Sequence, residues 1–200
     1  MTMTMTRPQT KPLKPLARTP FARVLAALSP ALQQGQGPLA HLVRSGQLHC
    51  VFQPLADLRE GTVYAHEALI RGPQGSPWYT PDVLLDMARQ EHLLRDFELV
   101  CVYIALQNWG VARAAGRVFI NISADALVHA VTLCGADELA NTVRTFGVQP
   151  RMVVLEITEH ERVGDMAPLR QAVQCVHGAG MRLALDDFGD GRSSLRLWSQ

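Results

Sequence analysis

From residue 47 onward, the chain alternates between two spacings of apolar and polar positions. Five runs read as strands: His49–Leu58, Thr62–Ile70, Val118–Ser123, Met152–Thr158 and Met181–Asp186. Between them, apolar residues recur at helical intervals. Thr80-Pro81-Asp82 predicts an N-cap followed by proline at the first helical position, leading into Val83, Leu84, Met87 and Ala88. A second helix is expected from Asp96 to Trp109, with Gly110 as its stop. Leu139, Val143 and Phe146 share one face of a third, closed by Gly147; Leu169, Val173 and Val176 repeat the pattern before Gly178 or Gly180.

The last three strands begin near residues 118, 152 and 181, about thirty residues apart, which is the length of one βα unit. Segments such as MVVLEIT and MRLALDD are apolar over most of their length, as parallel strands covered by helices must be. The fold class is therefore α/β. Periodicity alone leaves a doubly wound sheet and a barrel both open.

The first residues read differently. MTMTMTRPQTKPLKPLARTP is low in complexity and poor in large apolar side chains, so it cannot offset the entropy of ordering and is expected to be a disordered tail. Phe21, Val24, Leu25, Leu28 and Leu32 fall near helical spacing, with Pro30 expected to break or end that helix. Arg23 interrupts this apolar stretch and leaves too short a core for an export signal, so a docking helix or linker is the better reading. The expected organisation is a basic leader with a short helix over residues 1–45 and a folded body over 46–200.

Charge sharpens that division. Residues 1–56 hold six basic side chains and no acid; the other 144 hold 13 basic and 18 acidic groups, a net of −5. A mildly acidic body argues against a DNA or RNA partner and suits one that gathers cations. The four cysteines, Cys50, Cys101, Cys134 and Cys175, lie 51, 33 and 41 residues apart with no Cys-x-x-Cys pair. They read as small core residues in a reducing, cytoplasmic setting. The longest unbroken apolar run, Leu99–Leu106, is too short to span a bilayer.

Polar residues placed late in apolar strands carry the chemistry. Glu67, Asn121, Glu156, Asp186 and Asp187 all fall there, and in a barrel such strand ends converge on one mouth. Four carboxylates and an amide carbonyl aimed at a common point repel one another unless a cation lies between them. Oxygen-only ligands select Mg²⁺, Mn²⁺ or Ca²⁺, and five of them leave room for two ions. Asp187-Phe188-Gly189 spells a kinase motif, but no glycine-rich loop or catalytic-loop motif precedes it. An EF-hand register from Asp186 fails because Phe188 and Leu197 occupy ligand positions.

His66-Glu67-Ala68-Leu69-Ile70-Arg71-Gly72 resembles the signature of the EAL family of cyclic-di-GMP phosphodiesterases. It is joined, in family order, by Phe52-Gln53-Pro54, Asn121-Ile122-Ser123, Glu156-Ile157-Thr158-Glu159 and Asp186-Asp187-Phe188-Gly189, with Gly191, Ser193, Ser194 and Leu195. The resemblance covers about residues 46 to 200. It implies a modified TIM barrel whose first strand runs antiparallel to the rest. It further implies that Glu67, Asn121, Glu156 and Asp186 ligate one Mg²⁺ or Mn²⁺, that Asp187 serves a second, and that Glu67, Asp186 and Asp187 are catalytic. Gln53, Leu69 and Arg71 are implied contacts to cyclic-di-GMP, a guanidinium suiting phosphate because its donors are paired and permanently charged. The implied reaction is two-metal hydrolysis to linear pGpG. Asp190 and Arg192 stand where family members often carry Thr and Tyr.

Length limits this picture. A complete eight-stranded barrel takes about 250 residues, and the family's later Lys, Glu and Gln have no counterpart before Gln200. The expectation is a partial barrel of about five strands with an open edge. Three functional readings follow: an inactive fragment of a phosphodiesterase, an interaction module that offers its open edge to an EAL-type dimer partner or other protein, or a cyclic-di-GMP receptor working through Gln53, Leu69 and Arg71.

Overall fold

A computed structural model describes residues 30–158 and 166–186. Among these residues five strands, β1 (His49–Asp57), β2 (Thr62–Arg71), β3 (Arg117–Ile122), β4 (Val153–Thr158) and β5 (Arg182–Asp186), form one sheet in sequence order. β1 runs antiparallel to β2, and every later pair is parallel. Among the described residues the sheet does not close, so β1 and β5 are its edges. Pro54 is tolerated because it lies on an edge strand, where one missing ladder donor does little harm. The outward-facing backbone N–H of Cys50 is met by the Asn108 side-chain oxygen at 2.9 Å.

Among the described residues, seven helices accompany the strands: α1 (Pro30–Gln34), α2 (Pro38–Ser45), α3 (Pro81–Gln90), α4 (Leu94–Ala112), α5 (Ala124–Leu133), α6 (Ala136–Thr145) and α7 (Met166–Gly178). A core forms where they pack on one face of the sheet. Along β3, Val118, Ile120 and Ile122 are buried while Arg117, Phe119 and Asn121 are half-buried, the period-two signature of a strand with one covered face. Phe97, Val100 and Trp109 of α4 sit in that core, and the Trp109 ring packs edge-on against Phe52 at 5.0 Å. Such a pair adds about 1 kcal/mol beyond its buried area.

One sequence expectation changes here. Gly110 does not stop its helix: α4 continues to Ala112, and Arg113 takes the left-handed capping conformation. The glycine is needed for a different reason, since a Cβ there would lie 1.9 Å from the Phe146 carbonyl oxygen. Pro30, expected to break or end the helix spaced from Phe21, is the first described residue of α1. The part of the leader that precedes it lies outside the described residues.

Residues 30–45 are packed against the body. Leu32, Leu39, Leu42 and Val43 are buried within the common core. The N-terminus of α2 is met by α3's flank: Leu39 N–H donates to Glu91 Oε1 at 3.2 Å, placing a carboxylate against the positive end of the helix. Among the described residues, no helix is long and apolar enough to cross a membrane.

Candidate metal and nucleotide site

Strand register decides which side chains share a face. Glu67 lies beside Phe119, Asn121 beside Glu156, Glu156 beside Ala184, and Thr158 beside Asp186. Side chains alternate, so Glu67, Asn121, Glu156 and Asp186 all emerge on the face opposite the helices. Relative to the row through Glu67, Asn121 and Glu156 stand two residues further along and Asp186 four. This diagonal climb is the stagger that tilted barrel strands require to bring residues level at one rim. Gln53, opposite Glu67, and Leu69 and Arg71 beyond it share the same face.

The four side chains are half-buried. Asn121 Nδ2 donates to Glu67 Oε1 at 2.8 Å, which orients the amide and leaves Asn121 Oδ1 buried without a hydrogen-bond partner among the described residues. A buried carbonyl oxygen left without a donor costs about 1–3 kcal/mol. Burial pushes the Glu156 carboxyl up to about 7, with further upward pressure from the Glu67 and Asp186 charges. These groups fit a hard divalent cation. It would satisfy the amide oxygen, neutralise the carboxylates and return Glu156 to its ionised form. Among the described residues, no three His, Cys, Asp or Glu side chains are grouped closely enough to hold a metal ion by themselves. Asp187, the expected second-metal ligand and catalytic residue, lies outside the described residues, as do Glu159 and residues 188–195.

Beside the carboxylates the sheet opens. The β2–β3 pairing ends at Ala68 and Ile120; beyond it, Leu69, Ile70, Asn121, Ile122 and Asp186 line a cavity of about 490 Å³ roofed by α3 and α4. Arg71 stands at the end of β2, where its Nη1 donates to the Ile70 carbonyl at 2.8 Å and its guanidinium lies 5.9 Å from the Tyr79 ring centre. Gln53 is exposed beside Glu67. A separate cavity of about 200 Å³, lined by apolar residues such as Leu106, Leu139 and Leu155, lies in the helical layer away from these groups.

Sequence reading missed Glu98. This α4 residue lines the cavity and accepts a short hydrogen bond from Ser123 Oγ, and the same oxygen accepts from Ala126 N–H at 3.2 Å. Ser123 thus ends β3, caps α5 and ties both to α4, two residues from Asn121. Its signal was available: Leu94, Glu98, Cys101 and Ala105 form one stripe of a helix, and a carboxylate in an otherwise apolar stripe requires a partner.

Known proteins resemble this chain in sequence and in fold. The family model for the EAL domain matches residues 36–200. The probable cyclic di-GMP phosphodiesterase PdeB of Escherichia coli K12 is 30% identical over 151 residues, spanning 73% of this chain and 28% of PdeB. The probable cyclic di-GMP phosphodiesterase PdeG of the same strain is 30% identical over 162 residues, spanning 78% of this chain and 31% of PdeG. The chain therefore spans under a third of either relative's length. Among solved structures, Klebsiella pneumoniae BlrP1 in a calcium and cyclic-di-GMP complex superposes with a TM-score of 0.65 at 25% identity, covering 96% of this chain and 50% of BlrP1. Its manganese and cyclic-di-GMP complex gives 0.64 at 26% identity, covering 76% and 37%. The open sheet with its antiparallel first strand is thus part of a TIM-type barrel, and the chain belongs to the EAL domain family.

Proposed function

We propose that this chain binds a divalent cation and cyclic-di-GMP in the manner of an EAL-type phosphodiesterase site. The observation that carries the reading is the buried Asn121 carbonyl oxygen, without a hydrogen-bond partner among the described residues and set among Glu67, Glu156 and Asp186. In this reading Glu67, Asn121, Glu156 and Asp186 hold Mg²⁺ or Mn²⁺, and Asp187 holds a second ion. Bound ions of this kind polarise a phosphodiester oxygen and lower the pKa of a coordinated water. The chain's own residues do the rest. Asn121 fixes the Glu67 carboxylate through its Nδ2 hydrogen bond. Leu69 supplies an apolar wall, and Gln53 and Arg71 offer donors to the ligand phosphates, with the carboxylate repulsion cancelled by the cation. The names of the relatives and the ligands of BlrP1 support the same chemistry.

We place the chain in the cytoplasm on the strength of its four unpaired thiols. Titration with Mn²⁺, followed by electron paramagnetic resonance of the free ion, tests the site. Wild-type protein is expected to take up the ion, with affinity falling at least about tenfold in Asn121→Ala. Absence of Mn²⁺ uptake, or uptake equal in the variant, would sink the reading. Formation of pGpG from cyclic-di-GMP in the same samples reports turnover.

A further inference from the structure

Arg71 ends β2, and residues 72–79 return to it as a closed loop. Gly72 N–H donates to the Tyr79 carbonyl at 3.1 Å, Ser76 bonds Pro73 through both its N–H at 3.1 Å and its Oγ at 2.8 Å, and Trp78 N–H donates to Ser76 Oγ at 3.2 Å. A Cβ at Gly72 would lie 2.0 Å from the Trp78 carbonyl oxygen, so only glycine permits this closure. The loop is held by its own polar groups, and what it presents is aromatic. Trp78 is 36% exposed, and the Tyr79 ring lies against Arg71 and 6.4 Å from the ring of His49. His49 is paired directly opposite Arg71.

We infer that Trp78 and Tyr79 form a purine-base subsite beside Arg71, taking one guanine of a cyclic dinucleotide whose phosphate Arg71 binds. The inference rests on the proposed function and assigns the base an address. Aromatic faces accept any nucleobase by stacking, and a neighbouring guanidinium holds the attached phosphate. Because the loop is closed in advance, stacking immobilises little that was free, and little of the contact energy is spent on ordering. The geometry has the right reach. At about 3.3 Å per residue, Arg71 stands roughly 13 Å along β2 from Glu67, so a dinucleotide with its scissile phosphate at the carboxylates extends toward the loop.

Calorimetric titration with cyclic-di-GMP, alongside tryptophan emission, tests this with wild-type protein, Trp78→Ala, Trp78→Phe and Arg71→Ala. The loop's hydrogen bonds at Trp78 are made by main-chain atoms, so both Trp78 variants retain them. Trp78→Ala is expected to bind roughly tenfold more weakly, Trp78→Phe to recover most of the affinity, and ligand quenching of emission to fall in both. Arg71→Ala is expected to weaken binding while leaving the residual quenching at saturation in place. Equal affinity of wild type and Trp78→Ala overturns the base subsite and leaves cyclic-di-GMP binding standing. Failure of the wild type to bind overturns both. A loss in Trp78→Ala that Trp78→Phe does not recover assigns the residue a role other than stacking and also overturns the subsite.

Discussion

Replacing Glu156 with Gln should make the metal-free protein more stable at neutral pH. The carboxyl titrates near 4.5 when unfolded, and burial together with Glu67 and Asp186 raises it to about 7 in the fold. A raised carboxyl favours the protonated folded state. Its contribution is therefore present in full below pH 4.5 and is lost as pH rises through 7. The interval corresponds to about 3 kcal/mol at 1.36 kcal/mol per pH unit. Glu156 is only half-buried, so solvent screening reduces the effect to about 1–2 kcal/mol. Urea unfolding followed by circular dichroism, in EDTA at pH 5 and pH 8, measures it directly. Wild type should lose about that much across the interval relative to Glu156→Gln, and the variant should be the more stable at pH 8. Added Mn²⁺ should then stabilise the wild type and do less for the variant. Parallel pH–stability curves, or a variant less stable at pH 8, would refute the argument that these carboxylates strain the metal-free fold.

Gly110→Ala should destabilise by about 2 kcal/mol even though alanine is the better helix former by about 1 kcal/mol, because its methyl group meets the Phe146 carbonyl; a rise in urea midpoint would show that α4 and α6 can part without cost. Ser123→Ala removes the cap of α5 and the partner of Glu98 together, and should cost about 1–3 kcal/mol in the same assay. Burial holds the Cys50 thiol at about 12, Cys134 at about 11 and Cys101 well above the ordinary thiol range. Iodoacetamide at pH 8 should accordingly label these three slowly until denaturant is added. Rapid labelling of Cys50 in the native protein would contradict the packing of β1 on α4.

Most strands and the shared face of Glu67, Asn121, Glu156 and Asp186 were legible because both obey simple rules: long apolar runs mark covered parallel strands, and Glu156 and Asp186 interrupt those runs where a charge is costly. Three elements were hidden for identifiable reasons. α5, ADALVHAVTL, is apolar almost all round and shows no one-sided period. α2 follows a glycine-containing stretch and reads as leader, although Leu39 and Leu42 are fully buried. Ser123 reads as the last strand residue, while its hydroxyl in fact caps the following helix. Gly110 shows the common limit: a glycine at a helix end is ambiguous until the neighbouring Phe146 backbone is in place. Glu98 needed a partner to become conspicuous, and that partner lies 25 residues away.

The half-turn alternation that puts Glu67, Asn121, Glu156 and Asp186 on one face also governs which length changes the gene can absorb. Deleting a single codon within β3 ahead of Asn121 would turn its amide into the helical layer and swing the Ile122 side chain among the carboxylates, exchanging a ligand for a hydrocarbon. Two codons removed together would restore the facing but lower Asn121 by about 7 Å relative to Glu156, separating the oxygen atoms that one ion must span. Surface loops such as that between β1 and β2 carry no such constraint. Insertions and deletions should therefore accumulate there, while the strands keep their count.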